Sequence, residues 1–376
     1  VTAECLGMNA IFVFIPGVMM ICFDGQPSQT ILVKCTQGFD MGKLANVDRI
    51  ANQIHKGQIS SEECLEKLAV VLQAPPTWSS WIMLLAYAFS SLLTVPVMFN
   101  GRPVDTAVSG ALGLMVGLLN LLADRYQSYR NIFEISTAIL VGFVAKALGP
   151  WICFTGVALS AMAILLPGYA LTMAIMELSA KHIITGTVRF VYSLIYALFI
   201  GYGLEIGTSL YDALDLSAPP ATFDTCTGCV PHWLNLALFP LVAICMATTL
   251  GATFRQWPCM VFSAAVGFGV SLMTSKVISN YQVVGTISAF SVGIFGNLYL
   301  KVTGDLALVP LSCGIISLVP GSVGIQGAYF LIRQDDQGTS FAIQMVVASL
   351  GIAVGLFAAT LVVYPKGPKR SVYATY

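Results

Sequence analysis

The chain has 376 residues, with 18 Lys/Arg against 18 Asp/Glu; hydrophobic residues make up 57% and charged residues only 10%. Ordinary soluble domains carry about 25% charge, so a mean hydropathy of +0.82 excludes a wholly water-soluble protein. The balanced charge has no basic stripe and gives no support to nucleic-acid binding.

The charge is uneven along the chain. Residues 1–76 hold 12 of the 36 charged side chains, so a short polar segment precedes a long apolar one. The opening Val1-Thr2-Ala3 has no Met, and the expectation is a partial or trimmed chain with sequence upstream. Residues 11–15 and 18–23 read as strands broken by Pro16-Gly17, and 30–35 as a third after the turn residues Asp24–Ser28. The run 11–23 is too short to span a bilayer. Asp40 caps an expected helix with Leu44, Val47, Ala51 and Ile54 on one face. Ser60-Ser61-Glu62-Glu63 opens a second, whose buried side is expected to carry Leu65, Leu68, Val71 and Leu72. Pro75-Pro76 ends this small α/β layer.

A hydrocarbon core of ~30 Å needs about 20 apolar residues per helix. Ten segments qualify: 78–99, 104–122, 132–148, 151–176, 184–210, 233–252, 258–275, 282–300, 306–332 and 340–364. With the N-terminus cytoplasmic, thirteen Lys/Arg fall inside and three outside, which favours cytoplasmic N- and C-termini. Leu165-Leu166-Pro167-Gly168 and Leu318-Val319-Pro320-Gly321 lie late in the fourth and ninth segments. Five spans per half is odd, so the halves insert in opposite senses, the pattern of secondary transporters with interrupted helices.

The expected fold is therefore a polytopic α-helical membrane protein of about ten spans. Two inverted five-helix repeats (77–211 and 232–376) follow a soluble N-terminal α/β domain (1–76), with 212–231 as an outside loop. Where Pro-Gly interrupts a helix, a restarted N-terminus can hold a carboxylate beside a water-filled gap. That points to a polar hollow between the halves for an anionic or zwitterionic solute.

Ionisable residues at membrane depth cost ~2.5–3.5 kcal/mol on insertion scales. Arg189 either snorkels to the interface, binds a substrate carboxylate or pairs with Glu177. Glu205 is either a coupling carboxylate or an interfacial residue near the outer loop, and Lys146 is expected to snorkel. Thr172 and Ser322 are candidate hydroxyl ligands beside Pro167, Gly168, Pro320 and Gly321.

Pro167-Gly168-Tyr169-Ala170-Leu171-Thr172-Met173-Ala174-Ile175-Met176-Glu177-Leu178, then Gly186-Thr187-Val188-Arg189, resembles the PGxxLTxAxxEL…GxxR stretch of the threonine/serine exporter family. Phe14-Ile15-Pro16-Gly17, Leu44–Arg49, Pro75-Pro76 and the second Pro-Gly with Ser322 and Gly324 agree with it. The resemblance covers nearly the whole chain, in the form of the fungal pheromone-regulated membrane proteins. It implies a ten-span carrier that exports small amino acids such as threonine and serine. The family's His-Arg-Glu-type motif before the first strand is not in this sequence.

Cys226-Thr227-Gly228-Cys229, in the long outside loop, reads as a local disulfide or two free thiols; ligands at zinc-finger spacing are lacking. The three His show no H-E-x-x-H spacing, and no P-loop, G-x-S-x-G or dinucleotide motif occurs. No metal, cofactor or catalytic residue is expected. The reading is a multi-pass transporter, not an enzyme, whose partners are the lipid bilayer and an amino acid or small carboxylate. A homo-oligomer stays open, as does the choice between plasma and vacuolar membrane. The alternatives are a membrane-embedded hydrolase and a non-transporting membrane protein acting through partner contacts.

Overall fold

The computed structural model describes residues 10–15, 17–23, 30–34, 40–214, 223, 226, 228, 231–319, 321–333 and 337–365. Strands β1 (Ala10–Ile15), β2 (Val18–Phe23) and β3 (Thr30–Lys34) form an antiparallel sheet in sequence order. Ile15 pairs with Val18 across a turn in which Gly17 takes φ 89°, a conformation that suits glycine.

Helices α1 (Met41–His55) and α2 (Ser61–Gln73) follow. Both expected caps are present: Asp40 accepts from Lys43 N at 2.9 Å, and Ser60 Oγ accepts from Glu63 N at 3.2 Å. The expected faces are met in part: Leu44 and Ile54 of α1 and Leu68 and Val71 of α2 are packed. Met41, Ile50 and Ile54 are the buried apolar residues of α1, with Val47 exposed. In α2 the packed side is Cys64, Leu68 and Val71, while Leu65 and Leu72 face outward. The cause is tertiary: α1 is docked by its first turn. Met41 N donates to Leu250 O and Gly42 N to Gly251 O, both at 3.0 Å. Asp40 Oδ1 also accepts from Thr77 Oγ1 at 2.7 Å, and Trp78 Nε1 donates to Ala252 O at 2.8 Å.

The apolar part begins with α3 (Ser80–Phe99), α4 (Pro103–Arg125), the short α5 (Gln127–Arg130) and α6 (Phe133–Ala147). Then come α7 (Phe154–Ala161), a 3-10 turn (Ala163–Leu165), α8 (Gly168–Ser179) and the long α9 (Ile183–Leu214). The second part is α10 (His232–Thr249), α11 (Trp257–Ser275), α12 (Tyr281–Thr303), α13 (Leu308–Leu318), α14 (Gly321–Ile332) and α15 (Gln337–Val363). Among the described residues six helices are long and apolar enough to cross a bilayer, or eight if each bent pair counts as one span. The ten expected segments are all helical, but α6 and α10 are shorter than that measure requires.

Packing in the two parts corresponds pair by pair. α3 lies on α4, α4 on α7, α6 on α9 and α8 on α9; likewise α10 lies on α11, α11 on α13, α12 on α15 and α14 on α15. The fifth helices cross over, α9 packing on α14 and α15 on α8, while α3 meets α10. Small residues permit the closest approaches. On α9, Gly203 and Gly207 lie against the α6 backbone; on α15, Gly351 and Gly355 lie against α12. A methyl group at Gly203 would sit 2.8 Å from Ile135 O, and one at Gly351 2.7 Å from Thr286 Oγ1.

Candidate functional site

Both Pro-Gly positions break their helices. Along the first of these segments the axis turns by 62° at Met162, between α7 and residues 163–179, with helical structure interrupted again at Leu166-Pro167; in the second it turns by 46° between α13 and α14. Proline disfavours helical backbone in the residue before it. Leu166 accordingly has ψ 125° and Val319 ψ 127°, both extended, in front of Pro167 and Pro320. The first intrahelical bond of α8 is then Leu171 N to Pro167 O at 2.9 Å.

The two breaks touch. A methyl group at Gly168 would overlap Val319 and lie 3.0 Å from Gly321 Cα; one at Gly321 would lie 2.8 Å from Leu166 Cβ. Only residues without a side chain let the two interrupted helices meet this closely. Beside the contact is a cavity of about 490 Å³. Pro167, Gly168, Gly321 and Ser322 line it, together with residues of α3, α9, α10 and α11. Pro320 lies outside the described residues.

The expected polar hollow is corrected in its chemistry. The wall is mainly apolar and aromatic, and no Asp, Glu, Lys, Arg or His is among the described lining residues. Its polar groups are hydroxyls, and several spend their proton locally. Thr94 Oγ1 donates to Ser90 O (2.7 Å), Ser193 Oγ to Arg189 O (2.8 Å), Thr249 Oγ1 to Met246 O (2.8 Å) and Ser317 Oγ to Gly314 O (2.7 Å). Tyr169 Oη donates to Ser312 Oγ at 3.2 Å.

The other site candidates sit elsewhere. Thr172 is fully buried, and its hydroxyl donates to Gly168 O at 3.0 Å, which ties the start of α8 together. Arg189 Nη1 contacts Glu177 Oε1 at 2.5 Å, with the carboxylate 3% exposed; neither residue lines the cavity. Glu205 lies towards the other end of α9, where Oε2 is 2.9 Å from Arg333 Nε and Oε1 accepts from Ser209 Oγ at 2.9 Å. Lys146 does not snorkel: its side chain is 3% exposed and Nζ lies 3.0 Å from Asp212. The expected Cys226–Cys229 bridge is also overturned, since Cys226 is disulfide-bonded to Cys153, 73 residues earlier. Cys229 is outside the described residues. Among the described residues, no group of three or more His, Cys, Asp or Glu could hold a metal ion.

Sequence reasoning passed over several residues. Tyr169, Tyr192 and Tyr196 line the cavity; Tyr192 and Tyr196 stand within their helix rather than at a span end, which was the available signal. Asp105 was missed too. It is fully buried and accepts from Arg102 N (2.7 Å) and Cys153 N (2.9 Å), so it joins α4 to the head of α7. The Arg102-Pro103-Val104-Asp105 run, a capping box with proline at the first helical position, carries its signature.

Residues 1–211 match the family model described as "Putative threonine/serine exporter", and residues 235–362 match "Threonine/Serine exporter, ThrE". Among similar proteins, "Pheromone-regulated membrane protein 10" of Candida albicans (strain WO-1) is 30% identical over 399 residues, covering 98% of this chain and 36% of that protein. The proteins of the same name from Zygosaccharomyces rouxii and Saccharomyces cerevisiae (strain YJM789) are 32% and 30% identical, covering 98% of this chain and 41% and 51% of theirs. The chain thus spans roughly a third to a half of these relatives' length. No solved structure matches it.

Proposed function

Because this chain belongs to the threonine/serine exporter family of membrane transporters, we propose that it is a secondary transporter that moves a small amino acid or related small carboxylate by alternating access. In this reading it has ten spans in two inverted repeats, and the solute binds between them at the paired breaks. Pro167, Gly168, Gly321 and Ser322, with Pro320, shape the site. The observation that carries the reading is the contact of Gly168 with Gly321 on the wall of one cavity. Interrupted helices of two repeats meeting at a cavity is how such carriers build a mid-membrane site. The matched helix pairs, with α9 and α15 exchanging neighbours, are what a two-fold relation between repeats requires.

Cytoplasmic termini fit the disulfide. Cys153 and Cys226 both fall on the side read as outside from charge, where an oxidising milieu sustains such bonds. Glu177 and Arg189 serve in this account as a buried structural pair at the inner end of α8. Glu205, with Arg333, forms a tie between the halves rather than a carboxylate in the cavity.

The test is efflux from proteoliposomes loaded with labelled threonine, serine or a small dicarboxylate, with and without a pH gradient. Flux above protein-free vesicles that falls at least tenfold on Gly168→Leu is the expected result. No flux of any amino acid or small carboxylate removes the transporter reading.

A further inference from the structure

We infer that Tyr169 is where solute binding and release of the two halves converge: its phenol donates to the solute carboxylate and thereby gives up a hydrogen bond that ties the first helix break to the second half. This rests on the transporter reading above and assigns a binding role to one residue of the same site.

Position supplies the first argument. Tyr169 follows Gly168 in the first turn of α8 and lines the cavity. Its hydroxyl crosses to the other half at 3.2 Å, where Ser312 stands on α13, the helix that leads into the second break. Ser312 fixes the direction of this bond. It is fully buried and its own proton goes to Leu308 O at 2.6 Å, so towards Tyr169 it can only accept. The contact of Ser90 Oγ with Met246 Sδ at 3.7 Å also joins the halves, but it links the continuous helices α3 and α10. Thioether sulfur is a weak acceptor besides.

The second argument is bond strength. Thr94, Ser193, Thr249 and Ser317 give their protons to helix carbonyls at 2.7 to 2.8 Å. Tyr169 gives its proton to another hydroxyl at 3.2 Å, longer than O–H···O bonds usually are. A carboxylate is a far better acceptor, since a bond to an ionised group is roughly twice as strong as a neutral one. No acidic, basic or histidine side chain is among the described lining residues, so a solute carboxylate here is met by neutral donors. Gly168, Tyr169 and Ala170 line the cavity and precede the first intrahelical bond of α8, so a carboxylate beside them also meets the positive end of that helix. Turning the phenol from Ser312 to that carboxylate exchanges a long neutral bond for a charge-assisted one. It also removes a link between α8 and α13, which belong to the two repeats that rock against each other in alternating access.

The experiment uses the full chain in proteoliposomes and measures initial efflux over a range of internal threonine, serine or succinate concentrations. Tyr169→Phe keeps the ring and removes the donor. It should raise KM at least about tenfold for each of these solutes that the parent carries. Ser312→Ala removes the same bond between the halves but leaves the phenol its proton, with nothing to surrender when solute arrives. There KM should stay or fall, by about threefold at most. Both variants lose the Tyr169–Ser312 bond, so a role confined to holding the halves together would move KM the same way in both. An unchanged KM in Tyr169→Phe, or a tenfold rise in Ser312→Ala, overturns the assignment and leaves the transporter reading standing. The Ser312→Ala result decides independently of how the other variant folds. No flux of any of the three solutes from the parent overturns both.

Discussion

Arg189 reaches Glu177 across one helix turn-back, and the carboxylate it meets is 3% exposed. Arg189 is 29% exposed, so removing it leaves a buried carboxylate without its nearest cation but not beyond reach of water, at a cost of about 1–3 kcal/mol. Arg189→Met should therefore lower the melting temperature of the detergent-solubilised protein sharply, and Glu177→Gln/Arg189→Met should recover most of the loss. If Arg189 bound solute instead, the single variant would melt like the parent and lose only transport. That a Glu and an Arg in adjoining apolar segments each need a partner or water at membrane depth was legible, with pairing one of three alternatives for Arg189. Which alternative each charge takes was not. Lys146 is buried on Asp212, and Glu205 reaches Arg333 of the other half, because helix packing decides which partner comes within a few ångströms.

The helix breaks are the elements most directly written in the chain. Pro167 and Pro320 push Leu166 and Val319 out of the helical region by local sterics, without help from the rest of the fold. The disulfide is the opposite case. Sequence proximity favoured Cys226 with Cys229, but Cys226 lies beside Cys153, where Phe223 packs on Phe154 at 5.4 Å and Gly228 N bonds Asn100 O at 2.8 Å. Non-reducing peptide mapping should recover a 153–226 linkage that survives Cys229→Ser. Cys226→Ser should remove it and cost about 2–4 kcal/mol in thermal unfolding, as a long closed loop implies. The first turn of α1 is likewise placed by long-range contacts. Asp40→Ala removes both the cap and the tie to Thr77, so it should weaken docking by about 1–2 kcal/mol and speed proteolytic loss of residues 1–76.

At the scale of the whole molecule, charge and packing make a joint prediction about sidedness. Lys276 and Lys301 are both exposed and stand at opposite ends of the α11–α12 pair. In intact cells, Lys276→Cys should react with a membrane-impermeant maleimide well above the parent's background, and Lys301→Cys only after permeabilisation. The reverse result would invert the assignment made from the thirteen-to-three distribution of basic residues. Composition, apolar segment length and proline sterics are local properties, so the sequence by itself determined that this is a helical membrane protein with two matched interruptions. The tertiary structure decided that the interruptions touch, which side chains wall the space beside them, and how the buried charges and Cys226 are paired. Those depend on distances between residues far apart in the chain, and such distances exist only once the helices have packed.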